Sequence, residues 1–168
     1  MGRRDFFFKW LFYALVSLLF ILIQVFGLVH IRIWGVHPFV FPVLVATVAA
    51  LESAHESAIF ALAFGAVLDM TMPGVIPCFY TLAFLVVFLV SRVLSAKVLS
   101  RPFFCCMLCG ALSIVCTDLL QMLFLNAFTS FSFRSALLLT GKELLLTLPL
   151  MPLVYLPDMR IRRIFHQD

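Results

Sequence analysis

From Trp10 to Val29 the chain runs twenty residues without a charged side chain, the length at which an α-helix crosses a hydrocarbon core about 30 Å thick. Lipid offers the backbone no hydrogen-bond partners, so such a segment must satisfy its own amides, and a long unbroken apolar run does so as a helix. Several further apolar stretches follow. With 64% hydrophobic residues and a mean hydropathy of +1.16, the 168-residue chain has too few polar side chains to cover a water-facing surface. It reads as a single all-α integral membrane domain over 1–168 with no soluble domain attached.

Turns and charges divide the chain into six spans, about 8–29, 38–51, 54–70, 76–95, 103–128 and 136–157. The second is short, and the polar run from Glu52 to Ser57 separates it from the third. The alternative, one merged helix with glutamates in its middle, is disfavoured by the basic residues. With six crossings, Arg3, Arg4, Lys9, Arg92, Lys97, Arg101, Arg160, Arg162 and Arg163 lie on one side. Only Arg32 and Arg134 fall on the other, with Lys142 entering the membrane. The positive-inside rule then places both termini in the cytoplasm. The net charge of +4 is therefore topology information and not a nucleic-acid patch. The start, Arg3-Arg4-Asp5-Phe6, precedes an apolar run too long for a cleaved signal and reads as an uncleaved first span.

The third span has the most distinctive pattern. At 100° per residue Ala54, Ser57, Ala58, Ala61, Gly65 and Asp69 share one side, while Ile59, Phe60, Phe64 and Val67 point elsewhere. Helices in lipid associate by close contact and polar bonds, so a stripe of small residues is a packing or partner-binding surface. A hard stop at Pro73-Gly74 closes it. The stripe is expected to be what the rest of the chain packs around, with a second small face on the fifth span (Cys106, Gly110, Ser113, Thr117) as one internal partner.

Charged groups inside a span cost about 2.5–3.5 kcal/mol each, so Asp69, Asp118, Lys142 and Glu143 need partners or water. At 1.5 Å per residue Lys142 lies roughly 9 Å and Asp118 roughly 14 Å from the outer ends of their spans, with Gln121 one turn from Asp118. The expectation is an outer-leaflet polar cluster in which Lys142 pairs with Asp118 or Asp69. It is either a ligand or partner site or a structural ion pair that fixes helix register. Glu52, His55 and Glu56 read as a solvated helix start at the cytoplasmic turn. A proton relay would need ionisable groups at successive depths in both leaflets.

No catalytic set is visible. The histidines His30, His37, His55 and His166 lack ligand spacing, and His55-Glu56 has no second His at the position a metalloprotease helix needs. Four of the five cysteines (Cys105, Cys106, Cys109 and Cys116, with Cys78 apart) sit in one apolar segment, where they act as small hydrophobes. No enzyme activity, metal or cofactor is expected.

Ala61-Leu62-Ala63-Phe64-Gly65-Ala66-Val67-Leu68-Asp69, followed by Pro73-Gly74 and Phe79-Tyr80, resembles the bacterial rod shape-determining protein MreD family. Where that family usually has further glycines before Gly65, this chain has Ala61 and Ser57 or Ala58. The resemblance implies a non-enzymatic scaffold subunit of the cell-elongation complex in the bacterial cytoplasmic membrane. Its partners would be a membrane-anchored MreC-like protein, the peptidoglycan synthases outside and, indirectly, MreB filaments inside. The site residues would be Ser57, Ala58, Ala61, Gly65, Asp69 and Gly74. The bundle also resembles the substrate-binding subunits of energy-coupling-factor vitamin transporters. That alternative would put a small molecule beside Asp118, Gln121 and Lys142, although the first span lacks their Ala-x-x-x-Ala pattern, with Trp10 and Leu18 flanking Ala14.

Overall fold

The computed structural model describes residues 3–30, 35–72, 77–97, 102–128 and 133–165. Helix α1 (Arg3–Leu22) runs on through a π turn (Ile23–Gly27) and a 3-10 turn (Leu28–His30). Then come α2 (Phe41–Leu51), α3 (Ala54–Thr71), α4 (Phe79–Lys97) and α5 (Pro102–Phe128). Helix α6 (Phe133–Thr147) continues through a 3-10 turn (Leu148–Leu150) into α7 (Met151–Phe165). Pro149 and Pro152 explain that turn, since each removes an N–H from the helical ladder.

Among the described residues four helices are long and apolar enough to cross a membrane: Phe7–Gly27, Phe79–Ala96, Phe103–Leu125 and Leu137–Ile164. Their outward faces carry leucines at helical spacing. Leu11, Leu15, Leu18 and Leu22 line α1, and Leu82, Leu85, Leu89 and Val93 line α4, all exposed from the protein. In water such faces would drive aggregation, whereas in lipid they are the solvated surface. This is a multi-pass membrane protein.

The centre of the bundle is α2, not α3. At eleven residues it is about 16 Å long, half the hydrocarbon core, and every residue from Phe41 to Leu51 except Ala50 is buried. It packs against α3, α4, α5 and α7. A helix apolar all round has no preferred outer face, so it ends up enclosed by its neighbours. The expectation that the chain is built around the small stripe is corrected accordingly.

Between α2 and α3 the backbone of Glu52 is extended (φ −102°, ψ 171°), and the Ser53 Oγ accepts the Glu56 N–H to cap α3. Near the other end of α2, the buried Gln24 in the π turn donates its Nε2 to Pro38 O (2.7 Å) and accepts the Val40 N–H at its Oε1 (3.3 Å). One side chain thus serves both free backbone groups of the strap that leads into α2.

The buried side of α3 holds Ser57, Phe60, Ala61, Phe64, Gly65 and Leu68. Phe60 stacks on Phe64 (ring centroids 5.6 Å apart) and Phe64 on Phe84 of α4 (5.7 Å), with Phe41 of α2 edge-on to Phe64 (5.7 Å). The small residues and two of the phenylalanines expected to point away therefore share one buried arc. Small positions let α4 approach, and the rings beside them fill the gap to α2. Ala54 is exposed and Ala58 only half-buried, so the buried part of the small stripe is Ser57, Ala61 and Gly65.

Candidate functional site

Three polar constellations stand out: a clasp between α3 and α4, an ion cluster at one end of α2, and a cavity at the other end.

The clasp is made by Gly65 and Asp69. Gly65 lies against Thr81 so closely that a Cβ there would be 2.6 Å from the Thr81 Cα and 3.0 Å from its N. Atoms of a folded backbone do not approach that near, so the position requires glycine. One turn further, the Asp69 Oδ1 accepts the Tyr80 N–H (2.9 Å), and Oδ2 accepts both the Thr81 N–H (3.0 Å) and the Thr81 hydroxyl (2.6 Å). These amides belong to the first turn of α4, where no intrahelical acceptor exists. The residue in the N-cap position is Cys78, held at φ +64° with its carbonyl accepting the Leu82 N–H. Its side chain does not cap, and a carboxylate from the neighbouring helix does so instead, with favourable alignment to the helix dipole.

The small face of α3 is therefore engaged by α4, not by the fifth helix. On α5, Gly110 faces Met151 of α7 and Val43 of α2, while the Ser113 and Thr117 hydroxyls donate to carbonyls of their own helix. Ser57 likewise donates to Ser53 O (2.7 Å). Ala61 is fully packed. Gly74 lies outside the described residues.

The ion cluster corrects a second expectation. Glu52 and Glu56 do not form a solvated helix start. Lys9, 1% exposed, donates from its Nζ to Glu52 (2.5 Å) and Glu56 (2.8 Å), and the Tyr13 hydroxyl donates to the other oxygen of Glu52 (2.8 Å). Arg92 of α4 donates to the Glu52 carbonyl (3.1 Å), closing the C-terminal end of α2. Nearby on α2, the Thr47 hydroxyl lies 2.7 Å from the Asp158 Oδ2, and Asp158 is fully enclosed on α7. Lys9, Tyr13, Thr47 and Asp158 were not foreseen as site residues. The signal was present as two matched pairs at i, i+4: Lys9 and Tyr13 on one helix, Glu52 and Glu56 around the next break. Lys9 and Tyr13 present two polar groups on one side of α1, and the extended backbone at Glu52 brings both glutamates to Lys9.

At the opposite end of α2, a cavity of about 310 Å³ opens between the 35–39 strap, the start of α4, α5 and α6. A second of about 170 Å³ adjoins it, and the two share Asp118, Gln121 and Glu143. His37, Phe39, Phe79, Tyr80 and Thr117 complete the larger one. Within it the Asp118 Oδ2 and His37 Nδ1 are buried without a hydrogen-bond partner among the described residues. Three of the four residues of the expected polar cluster thus meet. Lys142 does not join them: it is exposed and lines neither space. Among the described residues the ion pairs are Lys9 with Glu52 and Lys9 with Glu56. The expected pairing of Lys142 with Asp118 or Asp69 is absent. Consecutive residues diverge by 100° on a helix, so only one of Lys142 and Glu143 can face α5, and it is Glu143. Asp69 is already engaged by α4.

Among the described residues no three His, Cys, Asp or Glu side chains gather to hold a metal ion. Cys105, Cys106 and Cys109 are buried free thiols, and Cys78 is an exposed one. No family model, no curated protein and no solved structure matches this chain.

Proposed function

We propose that this protein is a non-enzymatic scaffold subunit of the bacterial cell-elongation complex, a six-span member of the cytoplasmic membrane with both termini inside. In that reading the short α2, together with the strap that leads into it, and α3 complete the six crossings beside the four long apolar helices. The Lys9–Glu52 end of the bundle faces the cytoplasm and the Asp69 end faces outward. The observation that carries the reading is the clasp. In the residue pattern that resembles the MreD family, Gly65 and Asp69 act on one residue, Thr81, and lock α3 and α4 into a rigid hairpin. A scaffold needs a fixed shape to present to its partners, here an MreC-like protein and the peptidoglycan synthases beside it. Depletion tests this in the source cell: rods should lose their shape and round up while membrane insertion of other proteins continues. Cells that keep rod shape without this chain would contradict it.

The cavity favours a second reading, a substrate-binding subunit of an energy-coupling-factor type transporter. Its volume is at the low end of what small-molecule sites occupy, about 300–1,000 Å³. The exposure of Lys142 removes the cation that this reading had assigned to the ligand. A vitamin-sized ligand bound saturably by the purified chain, together with an associated ATPase pair, would favour the transporter over the scaffold.

A further inference from the structure

Asp158 of α7 has no exposed surface, and the ion cluster beside it supplies it with no cation. Among the described residues Lys9 is paired with Glu52 and Glu56, and no Lys or Arg lies within ion-pair distance of Asp158. Its Oδ1 is enclosed without a hydrogen-bond partner among the described residues. An ionised carboxylate held this way would bear the cost of a desolvated, unpaired charge, and groups so placed ordinarily neutralise instead.

The hydrogen bonds at Thr47 fix which form is present. The Thr47 Oγ1 lies 2.8 Å from the Leu44 carbonyl oxygen and 2.7 Å from the Asp158 Oδ2, each the full distance of an O–H···O bond. A threonine hydroxyl has one proton to donate, and a carbonyl oxygen has none. Both contacts are complete bonds only when the hydroxyl donates to Leu44 O and accepts from a protonated Asp158. A bond back to a carbonyl three or four residues earlier is the usual choice of a helical threonine. The gap beside Thr47, closed by Cys106, Met107, Met151 and Tyr155, is too small for a water molecule, so solvent supplies no third partner there.

We infer that Asp158 is a proton-binding site: it holds one proton in the folded protein, and its O–H bond to Thr47 is a pH-sensitive latch between α7 and α2. The titratable groups facing it are Tyr13 of α1, Glu52 at the end of α2 and Cys106 of α5, with Arg162 one turn along α7. None of them replaces the proton. Tyr13 and Lys9 are bound to Glu52, Glu52 is itself an acid, Cys106 is a thiol, and Arg162 makes no ion pair with Asp158. When the proton passes to solvent, a carboxylate is left beside Glu52, and two acceptors compete for one hydroxyl proton. The hydrogen bond that ties α7 to α2 is then lost. The inference rests on neither functional reading above.

Infrared difference spectroscopy of the full chain in nanodiscs tests it. Wild type minus Asp158→Asn at neutral pH should show one protonated-carboxyl C=O band, shifted in D2O and equivalent to one proton per chain. Alkaline pH should remove the band and neutral pH restore it. Thr47→Val should retain the band but displace it, because the O–H loses its acceptor. Aspartate in the unfolded chain is ionised in neutral solution, so the folded chain binds one proton more and its stability falls as pH rises. The wild-type thermal midpoint should therefore fall towards alkaline pH by more than that of Asp158→Asn, which keeps a donor for Thr47 and has no proton to lose. A difference spectrum without the band, or equal pH dependence of the two midpoints, would overturn the proposal. A band that persists until the protein unfolds would overturn the latch. If Asp158→Asn does not fold, the Thr47→Val spectrum decides: a displaced band supports the proton site, and an unchanged spectrum overturns it.

Discussion

Gly65 and Thr81 are in backbone contact: a single methyl group on the Gly65 α-carbon would sit 2.6 Å from the Thr81 Cα. The contact brings α4 near enough for Asp69, one turn along, to hold the first amides of that helix. Close approach and capping are thus two parts of one device.

Gly65→Ala is expected to destabilise the protein by about 1–3 kcal/mol, the usual cost of forcing extra volume into a packed contact, because the obstructing atoms are backbone. Gly110→Ala is the control. Its nearest neighbour is the mobile end of Met151, 3.1 Å from the added atom, so a smaller loss is expected. Thermal unfolding in detergent, followed by far-UV circular dichroism, measures both. Equal losses would show that backbone contact does not distinguish the two sites.

Removing the cap should be costly and specific. Asp69→Ala is expected to cost about 1–2 kcal/mol, the upper range for a lost N-cap. A part of that cost should vanish in a background of Thr81→Val, which removes the hydroxyl bond and leaves the Tyr80 and Thr81 amides on Asp69. A double-mutant cycle reads the coupling directly, and additive losses would contradict the clasp.

Lys9→Met leaves two glutamates without their cation and should cost about 3–5 kcal/mol, as for a broken buried pair. Replacing the whole cluster, Lys9→Met with Glu52→Gln and Glu56→Gln, should recover much of the loss. A triple variant no more stable than Lys9→Met would show that the cluster is not an ion-pair network.

The membrane character is legible from the apolar runs, and the shared helical register of Ala61, Gly65 and Asp69 from their spacing. Periodicity shows which residues share a side of a helix, but it carries no information on which helix comes to meet them. The small face of the fifth span fits the stripe equally well on periodicity, whereas α4 is the helix that meets it. The enclosure of α2 left its only trace as shortness, which also fits an incomplete span. Lys142 and Glu143 are neighbours in sequence, and hydropathy does not choose which one turns inward. The buried state of Lys9 was hidden because a lysine beside a first span ordinarily reaches for headgroups. The i, i+4 spacing of Lys9 and Tyr13 marks a shared polar side of α1, but nothing in it names Glu52 and Glu56 as the partners.

Cys78 reports the orientation of the bundle. It is exposed at the Asp69 end, while Cys105, Cys106 and Cys109 are buried. A membrane-impermeant maleimide should label wild-type protein in intact spheroplasts, and Cys78→Ser should abolish that label. Labelling that appears only after the membrane is opened would place this end in the cytoplasm and reverse the proposed topology.

The scaffold claim is tested most directly by co-purification. The full chain, tagged at its C-terminus and extracted in a mild detergent from its own cells, is captured and the associated membrane proteins identified, with Lys142→Ala as a folded surface control. Recovery of an MreC-like single-span protein with both chains, and its loss when Gly65→Leu collapses the hairpin, is the predicted result. Capture of the intact, helical wild-type chain with no such partner, or with an ATPase pair in its place, would contradict the account.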